Sequence, residues 1–218
     1  MKRNRDEILR YLGVRGAEPG EQLDRLIDDA CAELEREATP RLLTREAPLA
    51  VFPEEDTVCF LGMMVQSRGL SRHLAGCDEI ILFAATLGAG VDRLIQRASV
   101  ADMGRAVVLQ ACAASMIESY CDERQAQLLE NYLVQGRHFK PRFSPGYADF
   151  SLTYQRDILQ LLDAPKRMGL TATESCMLAP TKSVTAIIGV TQGKAEAAAD
   201  KCESCPAVDC PYRKGNDR

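Results

Sequence analysis

Apolar positions recur at helical spacing in two stretches near the N-terminus. Ile8, Leu9, Tyr11 and Leu12 mark a short helix over 6–12, with Gly13 as its stop. Leu23, Leu26, Ile27, Ala30, Cys31 and Leu34 step by three and four from Glu21 to Glu37, acids and arginines fill the other face, and Pro40 closes the segment. Residues 41–70 read as extended, with Val58–Val65 as the strongest strand and Leu70–Leu74 as one helical turn. Glu79–Thr86 is an apolar run of strand length that stops at Leu87-Gly88, and Val91–Ala98 reads as a helix. Asp102 opens a long helical region to about Tyr132. Its first part carries small residues (Ala111, Ala113, Ala114, Ser115) suited to close packing on a sheet, and its second part is polar. Ser144–Tyr147 reads as a loop, Gln155–Leu162 as a helix, and Thr171–Thr173 and Ser183–Val190 as strands.

Helices and strands mix without regular βαβ alternation, so the expected class is α+β. The pattern divides into a helical segment over 1–40, an α+β core over 41–190 and a polar, cysteine-bearing tail over 191–218.

Size and charge narrow the picture. A chain of 218 residues buries about 70% of its unfolded surface, enough for a core without disulfides. The net charge of -4 gives no nucleic-acid footprint, and the absence of tryptophan leaves little for stacking bases. No apolar run reaches the roughly 18 residues of a membrane helix. The charged start, Met1–Glu7, lacks the apolar segment of a secretory signal. A cytoplasmic protein without membrane contact is expected, its nine cysteines serving as thiols or ligands.

Candidate chemistry lies in three places. In Arg142-Phe143-Ser144-Pro145-Gly146-Tyr147-Ala148-Asp149 the arginine offers a planar fork for a carboxylate. The glycine lets backbone approach a ligand, the proline stiffens the approach, and Tyr147 supplies an aromatic wall. Together they suit an amino-acid-like moiety; the same residues also fit a surface turn with an ion-paired arginine. Thr173–Val184 sets polar groups between apolar ones and fits a strand, a turn and a return strand. In the tail, Cys202, Cys205 and Cys210 form C-x2-C-x4-C, a spacing that brings thiolates onto one zinc ion or one iron–sulfur cluster. It also fits a tail with redox-active thiols.

Arg142 to Tyr147 resembles the Arg-x-x-Pro-Gly-Tyr motif of the C-terminal activation domain of cobalamin-dependent methionine synthase. The likeness continues through Leu161-Leu162-Asp163, Lys166, Gly169, Thr173-Glu174-Ser175, Pro180 and Ser183-Val184. Small stand-alone relatives of that domain are resembled over most of the chain, through Tyr11-Leu12-Gly13, Ala85-Thr86-Leu87-Gly88 and Arg142 to Asp149.

The resemblance implies a twisted antiparallel sheet flanked by helices and a shallow site for S-adenosylmethionine (SAM). It implies docking on the cobalamin-binding domain of a methyltransferase whose cofactor has been oxidised to cobalt(II). There an electron donor reduces the cobalt and SAM restores the methyl group. Such a chain is an accessory module with no catalytic residues of its own. By the resemblance Arg142 holds the SAM carboxylate, and backbone near Ser144 and Gly146 meets its polar groups, beside Tyr147. Two features depart from the family. The segment Gly136–Pro141 holds no acid where the family contacts SAM through acids, leaving Glu118, Asp122 and Glu123 as substitutes, and Thr191–Lys194 stands where the family has tyrosines.

Two other function classes fit the sequence: a docking or chaperone-like module for a corrinoid protein, and a redox protein acting through its cysteine tail. Cys31, Cys59, Cys112 and Cys121 are expected in the core, and His73 and His138 on the surface. Thr86–Gly90 lacks the residues of a phosphate loop and is expected to turn a strand into a helix.

Overall fold

The structure, a computed structural model, describes residues 3–14 and 20–192. Helix α1 (Arg5–Tyr11) is capped by Asn4, whose side chain accepts from the Glu7 N–H. Helix α2 (Glu21–Glu37) turns Ile27, Ala30, Cys31 and Leu34 inward, as its periodicity requires. Strand β1 (Arg41–Pro48) follows. Next come β2 (Ala50–Phe52), β3 (Thr57–Phe60) and β4 (Met63–Gln66), a small three-stranded meander. After α3 (Arg68–His73), β5 (Glu79–Thr86) leads into α4 (Ala89–Ala101) and α5 (Met103–Leu133). The remainder comprises β6 (His138–Phe139), α6 (Tyr154–Leu161), α7 (Ala164–Met168), β7 (Thr171–Ala172), β8 (Leu178–Ala179) and β9 (Ser183–Thr191).

The main sheet is antiparallel in the order β1-β5-β9-β6. Alternation along its strands feeds two cores. Ile81, Phe83, Ala85, Ala186 and Ile188 face α1, α2, α4 and α5; Ile80, Leu82, Ala84 and Ile187 face the meander, α3, α6 and α7. Burial on both faces explains why β5 is apolar from Ile80 to Ala85. The expected α+β class, an antiparallel sheet flanked by helices, is found.

Val58–Val65 is not one strand. It breaks at Leu61 and Gly62, both with positive φ, into the hairpin β3–β4. Its apolar run hides the turn because a leucine occupies the first left-handed position, where glycine, asparagine or aspartate is the usual signal. Thr86–Gly90 does turn a strand into a helix. Both histidines are half-buried rather than on the surface. His73 lies 4.8 Å from the Phe143 ring, its Nε2 2.8 Å from the Pro141 carbonyl oxygen. Cys31, Cys112 and Cys121 are buried, and Cys59 is intermediate. Among the described residues no helix is long and apolar enough to cross a membrane.

Candidate functional site: a charged edge beside a glycine loop

Residues 140–143 extend the sheet edge beyond β6. The Lys140 N–H donates to Gly189 O at 2.8 Å, and Phe143 exchanges backbone bonds with Ile187 at 2.9 and 2.8 Å. Strand alternation then sends neighbouring side chains to opposite faces. Phe143 joins the aromatic column of His73 and Phe150 in the second core. Arg142 goes the other way, under α5, with its guanidinium carbon 5.9 Å from the centroid of the Phe83 ring.

Arg142 is buried at 9% exposure, where a bare guanidinium is costly. It is met by one face of α5: Asp122 at 2.7 Å, Glu118 at 3.1 Å and Gln125 at 2.9 Å. Positions 118, 122 and 125 repeat at four and three residues, one stripe of a helix. The sequence marks Glu118 and Asp122 as acids for this site, whereas nothing local marks Gln125. The arginine and its two carboxylates sum to one net negative charge. Asp122 also lines a groove of about 390 Å³ between the start of α1 and the middle of α5, together with Asp6, Glu123, Arg3 and Arg5.

The loop 144–150 folds on itself. The Tyr147 N–H donates to Ser144 O, Phe150 N–H to Tyr147 O, and Gly146 N–H to Phe150 O at 2.7 Å. Gly146 has φ +95°, and a Cβ there would lie 3.1 Å from the Leu152 side chain, so the loop requires glycine. Tyr147 is exposed at 41% and stands edge-on to Phe143. Ser144, Gly146 and Tyr147 therefore share one loop, while the Arg142 guanidinium turns to α5. The Ser144 hydroxyl and N–H donate to none of the described residues.

Asp149 anchors this loop. Its carboxylate accepts from the Ser67 hydroxyl (2.7 Å), the Arg68 N–H (2.8 Å) and the Gly69 N–H (2.9 Å) at the start of α3. A Cβ at Gly69 would lie 2.8 Å from the Ala148 Cβ. The Ser67 hydrogen bond, with the two backbone donors, holds the Asp149 carboxyl below the usual carboxylate range. A depressed folded pKa adds stability above the ordinary carboxylate pKa and loses it as pH falls through the depressed value. Asp149 is exposed, so solvent screening limits the gain, and Asp149→Asn is expected to cost no more than about 1 kcal/mol at neutral pH. Denaturant titrations should show the gap closing as pH falls through and below the ordinary carboxylate range; a gap of equal size at neutral and acid pH would contradict this role.

The segment Thr173–Val184 contains a turn. Thr173 N–H donates to Met177 O, β7 pairs with β8, and Arg156 donates to the Thr173 and Glu174 carbonyls. Cys202, Cys205 and Cys210 lie outside the described residues. Among the described residues no group of three His, Cys, Asp or Glu side chains is placed to hold a metal ion.

Fold and site define an α+β domain with a charged groove and a glycine loop at one sheet edge. The family described as "Vitamin B12 dependent methionine synthase, activation domain" matches residues 70–204, more than half of the chain. The chain belongs to this family. Among solved structures it is similar to a MetH reactivation domain bound to AdoHcy, with a TM-score of 0.62 at 16% identity over 89% of this chain and 78% of that one. At that identity the likeness concerns the fold. No curated protein matches the chain.

Proposed function

We propose that this protein binds SAM at the Arg142 edge and docks on the cobalamin-binding domain of a methyltransferase, supporting its reductive remethylation. The observation that carries the reading is the buried Arg142 between Glu118 and Asp122, next to the loop of Ser144, Gly146 and Tyr147. SAM bears an ammonium, a sulfonium and a carboxylate, a net positive charge that complements the net negative trio. The two acids are 39% and 73% exposed at their side chains, so they can face the ligand's cations while still holding the arginine. Three of the five guanidinium donors are used, leaving two for the ligand carboxylate. Ser144 offers an N–H and a hydroxyl to the ligand's polar groups. Family membership and the AdoHcy held by the related domain, the demethylated product of SAM, support the same ligand.

In this reading the partner's cobalamin, once reduced by an electron donor, accepts the methyl group. The chain's own residues bind and orient SAM. Isothermal titration of SAM into the purified protein tests the binding. Saturable, one-to-one binding is expected; no binding would leave a docking module alone.

The tail supports a separate proposal. Cys202, Cys205 and Cys210 are spaced to hold one zinc ion or one iron–sulfur cluster per chain. Elemental analysis after anaerobic purification should find metal in the wild type and none in the triple Cys→Ser variant. Metal-free wild type would leave the thiols without this role, and metal kept by the variant would move the site to other cysteines.

A further inference from the structure

A second cavity, of about 380 Å³, opens where α1, α4, α5 and the start of β9 meet. Ile95, Ala106, Ala111 and Ala114 wall it, and Met103 and Val107, 64% and 50% exposed, form its rim. The small alanines of α5 leave the space, because larger side chains there would fill it. Lys182 is its cation. It is half-buried, and its side chain makes no hydrogen bond or ion pair with any described residue. Asp92, the acid that acts on it electrostatically, makes no ion pair with it and instead accepts from the Thr181 N–H at 2.8 Å and the Thr181 hydroxyl at 2.7 Å. Burial lowers the Lys182 pKa, with Asp92 opposing, as expected for an ammonium short of counter-charge.

We propose that this cavity binds a small amphipathic monocarboxylate, its carboxylate on Lys182 and its hydrocarbon body along the alanines of α5. One cation balances one carboxylate, whereas a phosphate dianion would keep an uncompensated charge against apolar walls. The volume suits a small molecule. The cavity is separate from the Arg142 edge. Lys182 immediately precedes β9, and Phe143 pairs with Ile187, about 17 Å further along the chain.

Octanoate is the probe, titrated into the full chain and followed by methyl NMR. It should move the methyl signals of Ile95, Met103, Ala106 and Val107 and bind saturably. Octanol, which has the body without the charge, and acetate, which has the charge without the body, should each bind at least about tenfold more weakly. Lys182→Gln should lose about tenfold or more. Met103→Glu, an exposed change that places a like charge at the rim, should also weaken octanoate and keeps the test informative if Lys182→Gln fails to fold. Neither variant should alter SAM binding, so failure here is distinguishable from failure at Arg142. Unmoved cavity methyls, octanol binding as well as octanoate, or octanoate binding to Lys182→Gln as to the wild type would overturn the proposal.

Discussion

Phe83→Ala is expected to cost about 3–5 kcal/mol, a large share of the roughly 5–15 kcal/mol that holds a domain together. Phe83 sits in the middle of β5, fully buried, opposite Thr44 on β1 and Ala186 on β9. Its ring faces the helical core and forms the floor beneath the Arg142 guanidinium. Truncation leaves a cavity between the sheet and the helices packed on that face, where the surrounding side chains can close in only partly. It also removes the ring over which a buried cation lies. Phe83→Leu keeps most of the volume and should cost less, about 1–2 kcal/mol. It should nevertheless weaken SAM binding through the lost floor. Urea unfolding gives the stabilities. An unchanged midpoint for Phe83→Ala would remove β5 from the centre of the core.

Arg142→Ala should reduce SAM affinity about ten- to a hundredfold, the loss of a charged, hydrogen-bonded anchor. Arg142→Lys should recover only part of it, because one ammonium cannot reach Gln125, Glu118 and Asp122 at once and still hold a ligand. Replacing the acids separates their role from the arginine's. Glu118→Gln and Asp122→Asn should weaken SAM more than AdoHcy, because only SAM carries the sulfonium. Equal losses for both ligands would mean that the acids do not face the sulfonium and act on what the two ligands share, the ammonium and the Arg142-bound carboxylate. Equal SAM affinity for wild type and Arg142→Ala would remove Arg142 from the site.

Much of this fold is legible where a single local signal decides it. Asp102 marks the start of α5 because its carboxylate caps the Arg105 N–H. Glu79–Thr86 reads as a strand because both faces of β5 are covered. The turn at Leu61-Gly62 is hidden by apolar residues on either side of it. The strand β6 is two residues long, and α7 one turn, too short for any period to show. The site divides in the same way. The loop from Ser144 to Tyr147 is visible as a motif. The burial of Arg142 is not, because it depends on partners 17 to 24 residues away on α5. Asp149 stands in the motif, but its role depends on Ser67 and Gly69, more than 80 residues earlier for the first and 80 for the second. Local sequence shows neither closure, since tertiary packing brings both together.

Reactivation itself is tested by remethylation in a defined mixture. A cobalamin-binding domain of the methionine synthase type is loaded with cob(II)alamin and supplied with SAM and a chemical one-electron reductant, with and without this protein. Absorbance reports methylcobalamin. Methylcobalamin is expected to form at a rate that rises with added protein and falls with Arg142→Ala. The same rate with and without the protein would contradict reactivation.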